Sequence, residues 1–157
     1  MKALALAALV GVIHVHHAPS HDSDAPFEAV HSAAGEAGLD FVVLTDHADS
    51  DTPGPLPGSE HAGLATAPNG RKVLMLVGAE FASRDGHVLG VAIAHGVSAI
   101  GRPGREVIAA IREQGGVVYL PHPFDRMHTI PDASTLHRHL AEIDVFEVFN
   151  ARLMRDT

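Results

Sequence analysis

The chain contains no cysteine and no tryptophan, and tyrosine occurs once among its 157 residues. Without cysteine, disulfides, thiolate nucleophiles and zinc–thiolate sites are excluded, and the redox compartment stays open. The scarcity of aromatic rings leaves no platform on which single-stranded bases would stack. Any metal site must therefore be built from His, Asp and Glu.

Positive charge is also scarce, because 11 Lys and Arg residues face 19 Asp and Glu residues, for a net charge of −8. The longest basic run is the pair Arg71, Lys72. The sequence therefore lacks the basic groove that tracks the phosphates of a nucleic acid. No apolar run approaches the roughly 20 residues that cross a bilayer. A small phosphorylated substrate held by metal ions stays compatible with this composition.

The composition is that of a globular protein, with 46% hydrophobic and 19% charged residues. The length suits one domain, which we predict over residues 1–157. Residues 1–11 have one lysine and then an apolar stretch, as a signal peptide does. Cleavage there would remove the strand that has to hold the first histidines. We therefore expect a cytoplasmic protein, with a secreted or periplasmic location as the alternative.

The hydrophobic pattern alternates between strands and helices, which favours a parallel α/β sheet or barrel. Strands are predicted at Val12–Val15, Leu39–Thr45, Val73–Val77, Val88–Ala94, Val117–Leu120 and Asp144–Phe149. Helices are predicted from near Pro26 to Ala37, at Gly104–Gln114 and at Pro131–Ala141. The segment Ala48–Gly70 is rich in Pro, Gly, Asp and Ser, which predicts a loop with a helical turn near His61–Ala65.

Thirteen histidines are the unusual feature of the composition. His14 and His16 close the first predicted strand, and residues two apart on a strand point the same way, so both imidazoles can hold one ion. His17 should then point elsewhere. Alone, such a pair is weak evidence, because surface and core histidines are common.

Further histidines and carboxylates follow later strands. Asp46 and His47 come directly after the apolar run LDFVVL, where ligands gather in α/β folds, although Asp46 can equally cap a turn. Glu80 ends the run VLMLVGAE and can bridge two cations. His87 comes seven residues later, and His122 lies between two prolines whose rigid backbone lowers the entropy lost in holding a ligand.

Four predicted strand ends in succession thus present a potential metal ligand, an order that is hard to obtain by chance. The other histidines have no comparable position. Those predicted not to bind metal are His95, at the far end of its strand, and His128, His137 and His139.

The succession of motifs resembles that of PHP (polymerase and histidinol phosphatase) domain proteins, in particular the stand-alone metal-dependent phosphoesterases. In order, the motifs are His14-x-His16, Ser20-His21-Asp22-Ser23, Thr45-Asp46-His47, Gly78-x-Glu80, Gly86-His87-Val88-Leu89-Gly90 and Pro121-His122-Pro123, within residues 11–150. The resemblance implies a distorted (β/α)7 barrel that holds two to three divalent ions, of Mn, Fe or Zn.

The resemblance also implies a role for each residue. A first ion would bind His14, His16 and Glu80, and Glu80 would bridge to a second ion at His87 and His122. A third ion would use His47 and a residue of the segment Ser20–Ser23. The family usually has Ser-Asp-Gly there, so Asp22 is favoured and His21 is the alternative. Glu80 and His122 are the predicted catalytic residues.

One departure from the family concerns the C-terminal part. PHP proteins close the site with a Gly-Ser-Asp-x-His-like segment after a strand that ends in Asn, and DVFEVFN matches that strand through Asn150. The Asp and His ligands have no counterpart before Thr157. We therefore expect a barrel without its last strand or strands. A shortened form of a longer protein, a site with fewer ions, and ligands from a partner chain are the alternatives. The exposed sheet edge would need cover, for example in a homo-oligomer.

The activity implied by the resemblance is hydrolysis of a phosphate ester through metal-bound hydroxide, with two ions sharing Glu80. His, Asp and Glu suit Mn, Fe and Zn alike. One alternative is hydrolysis of a carbamate or carboxylic ester, which part of the same superfamily performs. Another is a metal-binding PHP domain without turnover. The expected partner is a small phosphorylated substrate or an ester, with no nucleic acid and no membrane.

Overall fold

The computed structural model describes residues 8–48, 53–123 and 138–151, which form a mixed α/β structure. Its strands are β1 (Gly11–Val15), β2 (Phe41–Leu44), β3 (Gly63–Thr66), β4 (Lys72–Ser83), β5 (Gly86–Val91), β6 (Val117–Leu120) and β7 (Val145–Phe146). Its α-helices are α1 (Phe27–Glu36) and α2 (Gly104–Glu113), and 3-10 helices occur at Ser59–His61 and Leu140–Glu142.

The strands form one sheet in the order β1-β2-β4-β5-β6-β7, and β3 pairs with β4. The pairs β1–β2, β2–β4 and β6–β7 are parallel, as predicted. The pairs β3–β4, β4–β5 and β5–β6 are antiparallel, so the prediction of a parallel sheet is wrong there. Only Arg84 and Asp85 separate β4 from β5, which permits a hairpin, whereas a parallel pair needs a crossover of a dozen or more residues.

Strand β4 is twelve residues long and joins the two parts of the sheet. It pairs with β2 and β3 through its first half and with β5 through its second half. The prediction that the strand ends at Val77, before Gly78, is therefore wrong. Gly78 lies inside β4, where a Cβ would overlap the carbonyl oxygen of Gly90 across the ladder. The glycine thus permits a close strand approach rather than a break.

Two buried clusters hold the helices against the sheet. One packs α2 on β4, β5 and β6 and includes Phe81, Val88, Val107, Ile111 and Val118. The other packs α1 on the first part of the sheet and includes Ala34, Val42, Leu44, Val73 and Met75. Val107 and Ile111 lie on one face of α2, as their spacing predicts, so α2 buries one apolar stripe.

The two ends of the strand order meet in space. His14 in β1 lies 3.0 Å from Glu147, directly after β7, although 133 residues separate them. A sheet whose first and last strands approach must curl, and here it forms a curled half-barrel. The (β/α)7 barrel implied by the resemblance is not confirmed, because two α-helices and two hairpin-type pairings replace repeated β/α units in the described residues.

Other predicted elements differ in their bounds. The predicted turn at His61–Ala65 is the end of a 3-10 helix followed by β3, because pairing with β4 overrides a weak local preference. The predicted strand Asp144–Phe149 is confirmed only at Val145–Phe146. The first eleven residues are described from residue 8 onward, and 131–137 of the predicted helix Pro131–Ala141 lie outside the described residues. In the described ranges no helix has the length and apolar character needed to cross a membrane.

Candidate metal centre

A buried carboxylate lies at the centre of the predicted site. The side chain of Glu80 is 1% exposed, and five imidazoles surround its two oxygens. On one side, Oε1 lies 2.8 Å from Nδ1 of His87 and 3.2 Å from Nε2 of His122. On the other, Oε2 lies 3.0 Å from Nε2 of His16, 3.2 Å from Nε2 of His14 and 3.5 Å from Nε2 of His47. The structure thus brings together residues that four regions of the sequence contribute.

Strand pairing explains how the central residues meet. His47 pairs with Glu80 in a parallel bridge that continues the pairing of β2 with β4. In the β4–β5 hairpin, Ala82 lies opposite His87, and Ala82 is two residues from Glu80 on the same face. The imidazole of His87 is therefore diagonal to the carboxylate of Glu80.

The backbone is strained at two of these histidines. His14 has φ 70° and His122 has φ 30°, and only Ala92 joins them among the described non-glycine residues with positive φ. Such conformations cost about 1–3 kcal/mol each and persist where the surroundings over-determine them. The β1–β2 register also shifts between Val12 and Val15, as at a bulge. Two of the three positive φ values thus belong to histidines of the cluster, His14 in β1 and His122 after β6.

Asp22 joins the cluster on the side of His16. Its Oδ1 lies 2.9 Å from Nδ1 of His16 and accepts a hydrogen bond of 2.7 Å from the hydroxyl of Ser20. Its Oδ2 lies 3.7 Å from Nε2 of His47. The ring of His21, the alternative ligand, lies against the ring of His47 with centroids 4.4 Å apart. Asp22 thus lies beside two histidines of the cluster and His21 beside one, and the choice between them as ligand stays a prediction.

The ligand atoms form two groups, in each of which all three atoms lie within 4.8 Å of one another. The first group is His14, Glu80 and His122, and the second is His16, Asp22 and His47. This division differs from the one that the resemblance implies, in which His14 and His16 share an ion. Nε2 of His14 and Nε2 of His16 nevertheless both lie beside Oε2 of Glu80, at 3.2 and 3.0 Å, so Glu80 joins the two groups.

Two buried ring nitrogens indicate that the cluster suits a cation. Nε2 of His16 and Nδ1 of His87 make no hydrogen bond, although each lies within 3.0 Å of an oxygen of Glu80. Buried polar atoms in proteins are almost always satisfied. Imidazole nitrogens and carboxylate oxygens that converge without hydrogen bonding match the donor set of a divalent transition metal.

Burial and the neighbouring charged groups shift the pKa values of Glu80 and His14 in opposite directions. Burial alone would raise the pKa of Glu80, but the imidazoles around it hold that pKa well below its usual range. Burial lowers the pKa of His47. Burial would also lower the pKa of His14, but the carboxylates of Glu147 and Glu80 raise it to about 9. Protons and a metal ion would therefore compete for the same ring nitrogens.

Sequence analysis did not single out Glu147, which is buried beside the cluster. Its carboxylate lies 3.0 Å from Nδ1 of His14, accepts the backbone N–H of His122 and accepts an N–H of Asn150 at 3.2 Å. The sequence offered one signal for it, a charged residue in the apolar segment DVFEVF. Because a buried charge needs partners, this pattern predicts that Glu147 contacts other polar groups.

Histidines predicted not to bind metal lie outside these groups. His17 is buried, and its backbone N–H and ring Nδ1 both contact the carboxylate of Asp46 at 2.6 Å. Asp46 thus ties the end of β1 to the end of β2. His95 contacts Gln114 through its backbone, and His139 contacts a glutamate. His128 and His137 lie outside the described residues.

No protein-family model matches the sequence, and no curated protein matches it. The solved structures that resemble the chain include the following two. One is a two-domain protein of Bacteroides vulgatus ATCC 8482 that contains a predicted PHP-like metal-dependent phosphoesterase, with a TM-score of 0.59 and 18% identity over 89% of this chain and 44% of that one. The other is a protein of Bifidobacterium adolescentis ATCC 15703 named for an expected activity, metal-dependent phosphoesterase, with a TM-score of 0.57 and 18% identity over 91% of this chain and 78% of that one.

The chain spans less than half the length of the Bacteroides protein. At 18% identity the likeness concerns the course of the backbone. It agrees with the curled α/β sheet. The chain therefore shares its fold with these two proteins over 89% and 91% of its length.

Proposed function

We propose that this protein is a metal-dependent hydrolase that cleaves a phosphate ester. The observation that carries the proposal is the buried carboxylate of Glu80, which five imidazoles surround. Two buried nitrogens of these rings, Nε2 of His16 and Nδ1 of His87, lie within 3.0 Å of the carboxylate without a hydrogen bond. The two structural neighbours named as metal-dependent phosphoesterases support the choice of reaction.

The residues present fit two ion positions, one for each group of three ligand atoms. His14, Glu80 and His122 would hold one ion, and His16, Asp22 and His47 would hold the other. His87 lies outside both groups and contacts Oε1 of Glu80, the oxygen that His122 also contacts. Divalent ions bound there would lower the pKa of a water molecule and polarise the oxygens of the ester. Mn, Fe and Zn all suit this donor set.

The exposure of the side chains indicates where a substrate would approach. Glu80 and His14 are 1% and 7% exposed, whereas Asp22 and His87 are 15% and 20% exposed. Substrate would therefore enter over the rim formed by Asp22 and His87, above the carboxylate of Glu80. We propose Glu80 and His122 as the catalytic residues, because Glu80 contacts both ligand groups and the rigid loop of His122 orients its ring on Glu80.

Metal content and substrate choice test the proposal. The purified chain, loaded with Mn²⁺ and freed of excess ion, is analysed for metal per chain and assayed with p-nitrophenyl phosphate and with a naphthyl carbamate. Two or more ions per chain and turnover of the phosphate ester are expected. Turnover of the carbamate alone would favour the ester and carbamate branch. Bound metal without turnover of either would favour a metal-binding domain, and no bound metal would overturn every one of these functions.

We also propose that the protein forms a homo-oligomer and that it is cytoplasmic. Sedimentation of the purified chain measures the first. A single mass of 16.5 kDa in solution would contradict it.

A further inference from the structure

Glu147 contacts two members of one ligand group from outside that group. Its Oε1 lies 3.0 Å from Nδ1 of His14, while Nε2 of the same ring lies 3.2 Å from Oε2 of Glu80. Its Oε2 accepts the backbone N–H of His122. The side chain is buried, so water does not compete for these contacts. Two ligands that lie far apart in the sequence thus share one carboxylate.

The contact with His14 determines how that ring is used. An ionised carboxylate only accepts hydrogen bonds, so Nδ1 of His14 must carry the hydrogen in this contact. The lone pair of the neutral ring is then on Nε2, which points toward Glu80 and the first ligand group. A carboxylate on the far nitrogen of a metal-binding histidine fixes the tautomer and the ring orientation.

The contact with His122 supports an unfavourable backbone. His122 has φ 30°, which a residue with a side chain rarely adopts. The backbone N–H of Glu147 donates to the carbonyl of Leu120 at 3.0 Å, and its side chain accepts the N–H of His122 two residues later. Glu147 therefore holds the chain at the end of β6 through two hydrogen bonds, one from its backbone N–H and one to its side chain.

We infer that Glu147 is a positioning residue that orients His14 and His122 together toward one ion position, that of His14, Glu80 and His122. The other group is held together by Ser20, whose hydroxyl donates to Asp22 and accepts the N–H of His47. The inference rests on the proposed metal-dependent function. Its specific consequence is that loss of the Glu147 charge weakens one ion position and leaves the other.

The test uses Glu147→Gln in the full chain, with Zn²⁺ titrated calorimetrically. The glutamine keeps an oxygen for the N–H of His122 but turns an N–H toward Nδ1 of His14, which favours the wrong tautomer. We expect two ions in the wild type, and in the variant a loss of about 10–100-fold in affinity at one of them. The affinity at the other should stay within about threefold, a selectivity that a general structural defect would not produce.

Asp144→Asn is the matched control. Asp144 lies in the same segment, and its carboxylate likewise accepts a backbone N–H, that of Val118 at 2.8 Å, and pairs with Arg112. It contacts no member of either ligand group in the contacts described. This variant should lower thermal stability and leave both Zn²⁺ affinities unchanged.

The outcomes separate the inference from the proposed function. Wild type that binds two ions and a Glu147→Gln variant that binds both equally well, or loses both equally, would overturn the inference and leave the hydrolase proposal standing. Wild type that binds no ion would overturn both. If Glu147→Gln does not fold, nitrogen-15 NMR of the Zn²⁺-loaded wild type decides. His14, assigned by the signal missing in His14→Asn, should show a protonated Nδ1, and an unprotonated Nδ1 would refute the inference.

Discussion

Replacing Glu80 by Gln tests the centre of the site, because it removes one negative charge and almost no volume. The two oxygens lie 2.8–3.5 Å from five imidazole nitrogens, so an ion held by these rings would lie within about 4 Å of the carboxylate. At an effective dielectric constant of about 20, a divalent ion and a carboxylate at about 4 Å attract each other by about 8 kcal/mol.

Only part of this attraction is lost in the variant. If water and the amide oxygen replace about half of the attraction, the variant loses about 4 kcal/mol of binding free energy. This loss corresponds to a Kd about 1000-fold higher. Since Oε2 of Glu80 also lies 3.0 Å from Nε2 of His16, both ion positions should weaken. In this respect Glu80→Gln differs from Glu147→Gln, which should weaken one.

Calorimetry with Zn²⁺ and thermal unfolding measure the effect. Free ion at 100 times the wild-type Kd should stabilise the wild type by about 2.7 kcal/mol and the Glu80→Gln variant hardly at all. Glu113→Gln, on the exposed side of α2, is the control and should bind as the wild type does. A Glu80→Gln variant whose Kd stays within about threefold of the wild type would refute the reasoning about the central carboxylate.

Three further predictions concern the fold. Asp85→Ala removes the carboxylate that accepts the N–H of Gly104 at the start of α2 and should cost about 1 kcal/mol. That bond lowers the pKa of Asp85 below its usual 3.8, so the deficit should be full above that pH and lost as the pH falls below it; equal deficits in urea titrations at neutral and strongly acidic pH would contradict this. Ile111→Ala should cost about 2–5 kcal/mol in urea unfolding, because the side chain is fully buried, and a smaller loss than about 1 kcal/mol would argue against tight packing there. Gly78→Ala should lower the melting temperature by overlap with the carbonyl of Gly90, and an unchanged melting temperature would show that β4 and β5 can separate.

Local sequence determined most of the strands and the order in which ligand residues appear. The runs that became β1, β2 and β6 are short, apolar and β-branched, and such runs specify a strand without reference to the rest of the chain. Because ligands follow or lie within these runs, His14, His47 and His122 could be predicted to meet at one end of a sheet.

The direction of neighbouring strands was not accessible in the same way. The apolar run of β4 reads alike whether its neighbour is parallel or antiparallel, and Gly78 reads as a break although it serves a close approach to Gly90. Strand direction depends on how the connecting segment packs, which is a property of the whole sheet.

Only the tertiary structure decided which of the candidate ligands lie close together and which further carboxylate contacts them. The pairing of His14 with Glu147 joins the first and last strands, 133 residues apart, and exists because the sheet curls. The positive φ of His14 is likewise a backbone conformation that no local pattern of the sequence predicts. Sequence periodicity specifies which face a residue occupies, whereas contacts across a curled sheet depend on the summed twist of every strand between them.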